Sequence, residues 1–256
     1  MAESKLGTLF IDFAVQILNA DKAHQHSKRR EKMAWGMRNI VISLFGSSII
    51  EGRIGAENVD ERYYMILQQK LAKRFPEVCF SIINGAVGGW STRELMEIFD
   101  DSVLRYNPDY CIVMFGANNN DLTRPERVLD EGELEQLMID FQNRLPESCQ
   151  RVGVVLNPIV NEKHWVTNHP SYQDAIKKFG GLNEMLEPER NQARDFYIKN
   201  GYPVVDLAKL MSKDPAGCIC SDGIHLNLDG HKLFANALFD VLEQLLIRNG
   251  HDTNGK

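Results

Sequence analysis

From residue 39 onward the chain alternates between short, nearly continuous apolar runs and longer segments whose apolar residues recur every three or four positions. The runs fall at 39–45, 78–83, 110–115, 151–156 and 203–207; the segments between and after them fall at 62–74, 93–106, 131–145, 181–200 and 229–248. A strand that is apolar on consecutive residues is buried on both faces, which is the condition of a parallel sheet covered by helices on each side. Alternating strands and helices of these lengths imply right-handed crossovers. Gly201 stands where the fourth of these helices should stop. The pattern predicts an α/β chain: an α/β/α sandwich around a central five-stranded parallel sheet. With 256 residues, the chain reads as one such domain over 39–250 and a helical extension over 1–38.

The extension carries Leu6, Leu9, Phe10, Phe13, Ile17 and Leu18 at helical spacing. That stripe has to be covered, either by the body of the domain, by a second copy of the chain, or as a lid beside the site. A homo-oligomer through this helix is one of those expectations. Asp12 and Gln16 interrupt the apolar stretch and Glu3 sits where a signal peptide would be basic, so neither secretion nor a membrane span is expected. Lys28-Arg29-Arg30, with Lys32, reads as a solvated helix face, and His24 and His26 as solvated side chains. A net charge of −6 argues against a nucleic-acid surface. Five scattered cysteines do not form a disulfide framework, and a reduced, cytoplasmic setting fits them. Cys79 and Cys111 fall in strands and read as small buried hydrophobes; Cys218-Ile219-Cys220 lacks the second pair a zinc site needs. No metal or cofactor is expected.

In an open parallel sheet, ligands bind beyond the carboxyl ends of the strands. Four sparse signals fall there. Gly46-Ser47-Ser48 follows the first strand, Asn84-Gly85-Ala86-Val87-Gly88-Gly89 the second, and Gly116-Ala117-Asn118-Asn119 the third. Asp222-Gly223-Ile224-His225 precedes the last helix. A serine hydroxyl needs an adjacent base to become a nucleophile, and the base needs an orienting carboxylate. A glycine-turn N–H and an asparagine amide are the donors that stabilise an oxyanion. Asp121 reads as a turn cap and His231 as a helix-surface residue, because Asp229-Gly230 resembles a helix start. The long connection from 158 to about 180 holds His164, Trp165, His169, Pro170 and Tyr172, and reads as a wall or lid of the pocket.

With these blocks in this order, the chain resembles the SGNH hydrolases, also called the GDSL esterase/lipase superfamily, over roughly 39–248. The resemblance implies a flavodoxin-like fold and ester or thioester hydrolysis without a metal or organic cofactor. Ser48 matches the nucleophile, His225 the base and Asp222 its partner. Gly89, Asn118 and the N–H of Ser48 match the oxyanion donors. Two residues depart from the family pattern: Ser47 stands where Gly-Asp-Ser has Asp, and Asn119 where Gly-x-Asn-Asp has Asp. Their neighbouring strands suggest that Ser47 and Asn119 replace the missing carboxylates with a hydrogen bond to each other. The substrate expected is a small-molecule acyl ester, with an acetylated carbohydrate or small ester favoured. The alternatives are a lysophospholipase or thioesterase acting on longer chains, and a binding domain of this fold without turnover. Trp90, Trp165 and Tyr172 suit either a sugar ring or an acyl chain.

Overall fold

The structure is a computed structural model that describes residues 38–116 and 118–251. The amphipathic extension helix, the basic cluster, His24 and His26 lie outside the described residues, and so does any oligomer contact through that helix.

Five strands form one sheet: β1 (Arg38–Phe45), β2 (Val78–Asn84), β3 (Tyr110–Val113), β4 (Gln150–Val155) and β5 (Val204–Asp206). Their order is β2-β1-β3-β4-β5, and every pairing is parallel. The chain leaves β1 towards β2 on one side and crosses back to β3 on the other. The boundary between β1 and β3 is therefore the point where the connections diverge, and a crevice opens there at the carboxyl ends. Ser48 follows β1 and Asn118 follows β3, so this topology alone brings them to the same crevice.

Helices cover both faces. On one, α2 (Tyr63–Arg74) packs beside the last helix, α8 (Leu228–Arg248), with Tyr63 stacked on Phe234 at 4.3 Å. Ile40, Ile42 and Leu44 of β1 point into this layer. On the other face Phe45 meets Phe99 at 5.0 Å and Phe141 at 5.6 Å. These rings come from α4 (Phe99–Ser102) and α5 (Glu133–Arg144).

The helix expected over 93–106 is broken. It begins as α3 (Thr92–Glu97), restarts as α4 and ends in a 3-10 turn, Leu104–Tyr106. Leu95, Met96, Phe99 and Val103 do share one core layer, which gave the sequence its helical period. The backbone nevertheless leaves helical geometry at Ile98 (φ −101°, ψ 7°) and Val103 (φ −129°, ψ −62°), two β-branched residues with weak helix preference. Cys111 is buried, but Cys79 is exposed, because β2 is an edge strand. His231 is also corrected. Its N-cap is Asn227, so it lies a turn inside α8, at 1% exposure. There Nδ1 accepts the Tyr63 N–H (3.2 Å) and Nε2 donates to the Ile54 carbonyl (2.8 Å), and burial pushes its pKa down.

The connection after β4 contains two 3-10 turns, Trp165–Asn168 and Pro170–Tyr172, then α6 (Gln173–Phe179) and α7 (Leu182–Lys199). Tyr197 of α7 lies across β4, its hydroxyl donating to the Val113 and Val154 carbonyls at 3.3 and 3.4 Å. A Cβ on Gly153 would come within 2.4 Å of the Tyr197 ring. Gly153→Ala is expected to cost about 2–3 kcal/mol of stability, since a packed core cannot absorb that overlap without moving the ring. Chemical denaturation measures this; an unchanged midpoint would mean that the ring shifts freely.

Candidate active site

Ser48 opens α1 (Ser48–Glu51), a single turn directly after β1. Its Oγ lies 2.9 Å from His225 Nε2, although the two residues are 177 positions apart. On the other side of the ring, His225 Nδ1 lies 2.6 Å from Asp222 Oδ2. Asp222 Oδ1 accepts the backbone N–H groups of Ile224 and His225, both at 3.0 Å. The carboxylate is thus locked to its own turn. Burial pulls its pKa up, but the Ile224 N–H, the imidazole and the His225 N–H outweigh that and hold it below the usual carboxylate range. Once the Nδ1 proton is committed to the carboxylate, Nε2 is left to accept from the serine hydroxyl.

The turn carrying Asp222 and His225 is braced by the long connection. Gly223 accepts the Val160 N–H at 2.8 Å. His164, buried against this turn, accepts the Val166 N–H on Nδ1 at 3.3 Å. Burial pushes the His164 pKa down.

The glycine block is joined to the first block by the Val87 N–H, which donates to the Gly46 carbonyl at 3.1 Å. A Cβ on Gly88 would stand 3.6 Å from the Ser48 Cβ, so this loop passes close over the serine. Gly89 holds φ at +80°, in the left-handed region that favours glycine. The Arg127 guanidinium donates to the Gly89 carbonyl and pairs with Glu94 at 3.2 Å. Glu94 in turn closes the capping box of α3 on Ser91.

The asparagine block is tied to the same loop. Asn118 Nδ2 donates to the Trp90 carbonyl at 3.1 Å, and Asn119 Oδ1 accepts the Thr92 N–H at 2.7 Å. Asn119 does not meet Ser47. Its amide donates to Glu189, while the buried Ser47 Oγ has no hydrogen-bond partner among the described residues. The expected exchange between those two neutral side chains is therefore absent. Asp121 caps its turn as expected, accepting from the Thr123 N–H and hydroxyl. Glu189 and Arg127 escaped the sequence reading, because both reach these loops from elements with no periodic or motif relation to them.

Ser48, Gly89, Asn118, Asp222 and His225 all border one pocket of about 480 Å³. One wall, from the long connection and the start of α7, is apolar: Ile159, Val166, Tyr172, Leu182, Met185 and Leu186. Glu51 and Arg53, paired at 3.0 Å, also line the pocket. Trp165, 60% exposed, stands on the rim, whereas Trp90 packs towards the core. Among the described residues, no group of three or more His, Cys, Asp or Glu side chains is arranged to hold a metal ion. Nor is any described helix long and apolar enough to cross a membrane.

Residues 44–233 match the model of the GDSL-like lipase/acylhydrolase family. The chain belongs to that family. It is accordingly a hydrolase of ester bonds, which sets aside the reading of a domain without turnover. An uncharacterized lipoprotein of Bacillus subtilis (strain 168), YqeF, is 26% identical over 169 residues, covering 63% of this chain and 68% of that protein. Among solved structures, LAE5, an alpha/beta hydrolase enzyme from the metagenome of Lake Arreo, Spain, superposes with a TM-score of 0.62 at 21% identity. That match covers 80% of this chain and 96% of LAE5. The acetyl xylan esterase AlAXEase gives 0.59 at 20% identity, covering 78% and 98% respectively. At these identities the superpositions establish the shared fold: a parallel five-stranded sheet between helices, as the SGNH hydrolase fold requires.

Proposed function

We propose that this hydrolase is a serine carboxylesterase in which Ser48 is the nucleophile, His225 the general base and Asp222 its orienting carboxylate. The observation that carries the reading is the continuous relay from Ser48 Oγ through His225 to Asp222, at 2.9 and 2.6 Å, beside Gly89 and Asn118 in one pocket. Ser48 Oγ attacks the ester carbonyl carbon as its proton passes to His225 Nε2. The carbonyl electron pair moves onto oxygen, and the N–H groups of Ser48 and Gly89 and the Asn118 amide receive it. The intermediate collapses, the bond to the alcohol oxygen breaks, and His225 returns the proton to that oxygen. Water then repeats the sequence on the acyl-enzyme and releases the acid. Asp222 stays ionised throughout, stabilising the imidazolium.

The apolar wall favours an acyl chain longer than acetyl, and the Glu51–Arg53 pair with Trp165 suits the alcohol part. The likeness to an acetyl xylan esterase supports the other assignment, removal of an acetyl group from a carbohydrate. The two are separated by p-nitrophenyl acetate, butyrate and octanoate. Each methylene buried on the wall is worth about 0.8 kcal/mol, so kcat/KM should rise roughly tenfold from acetate to butyrate. Leu186→Trp should reverse that preference by filling the wall. Acetate as the best ester would select the deacetylase reading. Absence of hydrolysis on all three would reject a general carboxylesterase.

A further inference from the structure

We propose that Glu189 is a positioning residue for the oxyanion hole, gripping Asn119 and Asn120 so that their turn presents Asn118 to the reacting carbonyl. The inference rests on the role given to Asn118 above. Glu189 sits on α7, and its two carboxyl oxygens take two separate amides. Oε1 accepts from Asn119 Nδ2, and Oε2 accepts from Asn120 Nδ2 at 2.6 Å. Those asparagines follow Asn118 in a 3-10 turn, Asn118–Asn120. The other end of Asn119 is fixed, because its Oδ1 already accepts the Thr92 N–H. Asn119 therefore bridges α7 to the loop that also receives the Asn118 amide at the Trp90 carbonyl. Glu189 supplies from a distant helix a carboxylate that contacts the turn in place of one within it.

The arrangement is chemically ordered: two amide donors face two carboxylate acceptors. Putting a carboxylate at 119 would set two acceptors against each other, with at most one shared proton between them. Asn119→Asp, although it installs the family's usual residue, should therefore harm this chain. Exchanging the groups should repair it. In the double variant Asn119→Asp/Glu189→Gln, the new carboxylate still accepts the Thr92 N–H and accepts a hydrogen bond from the new amide. The oxygen of that amide still accepts from Asn120.

The same grip is sensitive to protonation, since only the ionised carboxyl accepts both amides. Burial pushes the Glu189 pKa up to about 7, against the opposing effect of the Asn119 and Asn120 amides and the Arg190 charge. Arg190 and Glu187 are its charged neighbours on α7, and Asp121 ends the turn. The surrounding cavity of about 280 Å³ is otherwise lined by Leu129, Leu134, Phe179, Met185, Pro188 and Gln192, none of them titratable. Glu189 must then lose its proton for full activity.

The test is steady-state hydrolysis of p-nitrophenyl butyrate by the full chain, with melting temperatures recorded for each variant. Asn119→Asp should lower kcat by about tenfold or more with little change in KM, as expected when a transition-state donor is displaced. The exchanged double variant should recover to within about threefold of wild type. On the acid limb, the logarithm of kcat/KM should climb more steeply in wild type than in Glu189→Gln. That second measurement stands even if Asn119→Asp fails to fold. Full activity in Asn119→Asp, a double variant no better than its parents, or an unchanged slope in Glu189→Gln would overturn the proposal. Ser48→Ala measured alongside keeps the readings apart: activity surviving that change would refute the serine mechanism, whatever the Glu189 series shows.

Discussion

Ser48→Ala is expected to lower kcat on esters by at least about 10⁴-fold while leaving the fold and ester binding intact, because it removes the only atom of the relay that bonds to carbon. Ser47→Ala is the necessary control. The two serines are adjacent, but their surroundings differ. Ser48 Oγ faces His225 Nε2 at 2.9 Å, whereas Ser47 Oγ is buried with no hydrogen-bond partner among the described residues. Removing a buried hydroxyl that bonds to nothing is neutral or mildly stabilising. Ser47→Ala should therefore keep most of the activity and melt no lower than wild type. Rapid-mixing kinetics add a second measure. Wild type should release a burst of p-nitrophenol as the acyl-enzyme forms, and Ser48→Ala should release none. A dead Ser47→Ala beside an active Ser48→Ala would move the nucleophile by one residue.

The sheet and the juxtaposition of Ser48, Asp222 and His225 were legible for the same physical reason. Ile40, Ile42 and Leu44 face one helical layer and Phe45 the other, so β1 had to read as continuously apolar. A parallel sheet then sends every strand exit to one edge. Ser48 and His225 could be placed together across 177 positions because each belongs to a short block with its own backbone logic. The misreadings arose where period or position was ambiguous. Leu95, Met96, Phe99 and Val103 keep a helical spacing through a backbone that breaks twice. Asp229-Gly230 resembles a helix start, but the helix begins at Leu228 with Asn227 as its N-cap, and His231 is turned inward against α2. Cys79 lies on a strand whose place at the sheet edge no local pattern records. The supports of the glycine and asparagine loops were out of reach altogether. Arg127 meets the Gly89 carbonyl, and Glu189 meets Asn119, only because tertiary structure folds distant segments onto them.

Asn118→Ala should cost about 10²- to 10³-fold in kcat, the usual consequence of losing one oxyanion donor, with KM changed little. The amide has two N–H groups. One donates to the Trp90 carbonyl at 3.1 Å, and the side chain borders the pocket. That tether restricts the side chain's rotation, which limits the reorientation needed as charge develops on the carbonyl oxygen. Alanine removes both the donor and the tether, but Asn119 still accepts the Thr92 N–H and Glu189 still holds the turn. The loss should therefore appear in turnover rather than in stability. Asn118→Asp provides a sharper comparison. It is nearly isosteric, but it replaces a donor with a carboxylate beside the Trp90 carbonyl and the developing oxyanion. Like charge at that position opposes the transition state outright, so its kcat should fall below that of the alanine variant. Equal kcat values for Asn118→Ala and wild type would remove Asn118 from the oxyanion hole and leave stabilisation to the Ser48 and Gly89 N–H groups.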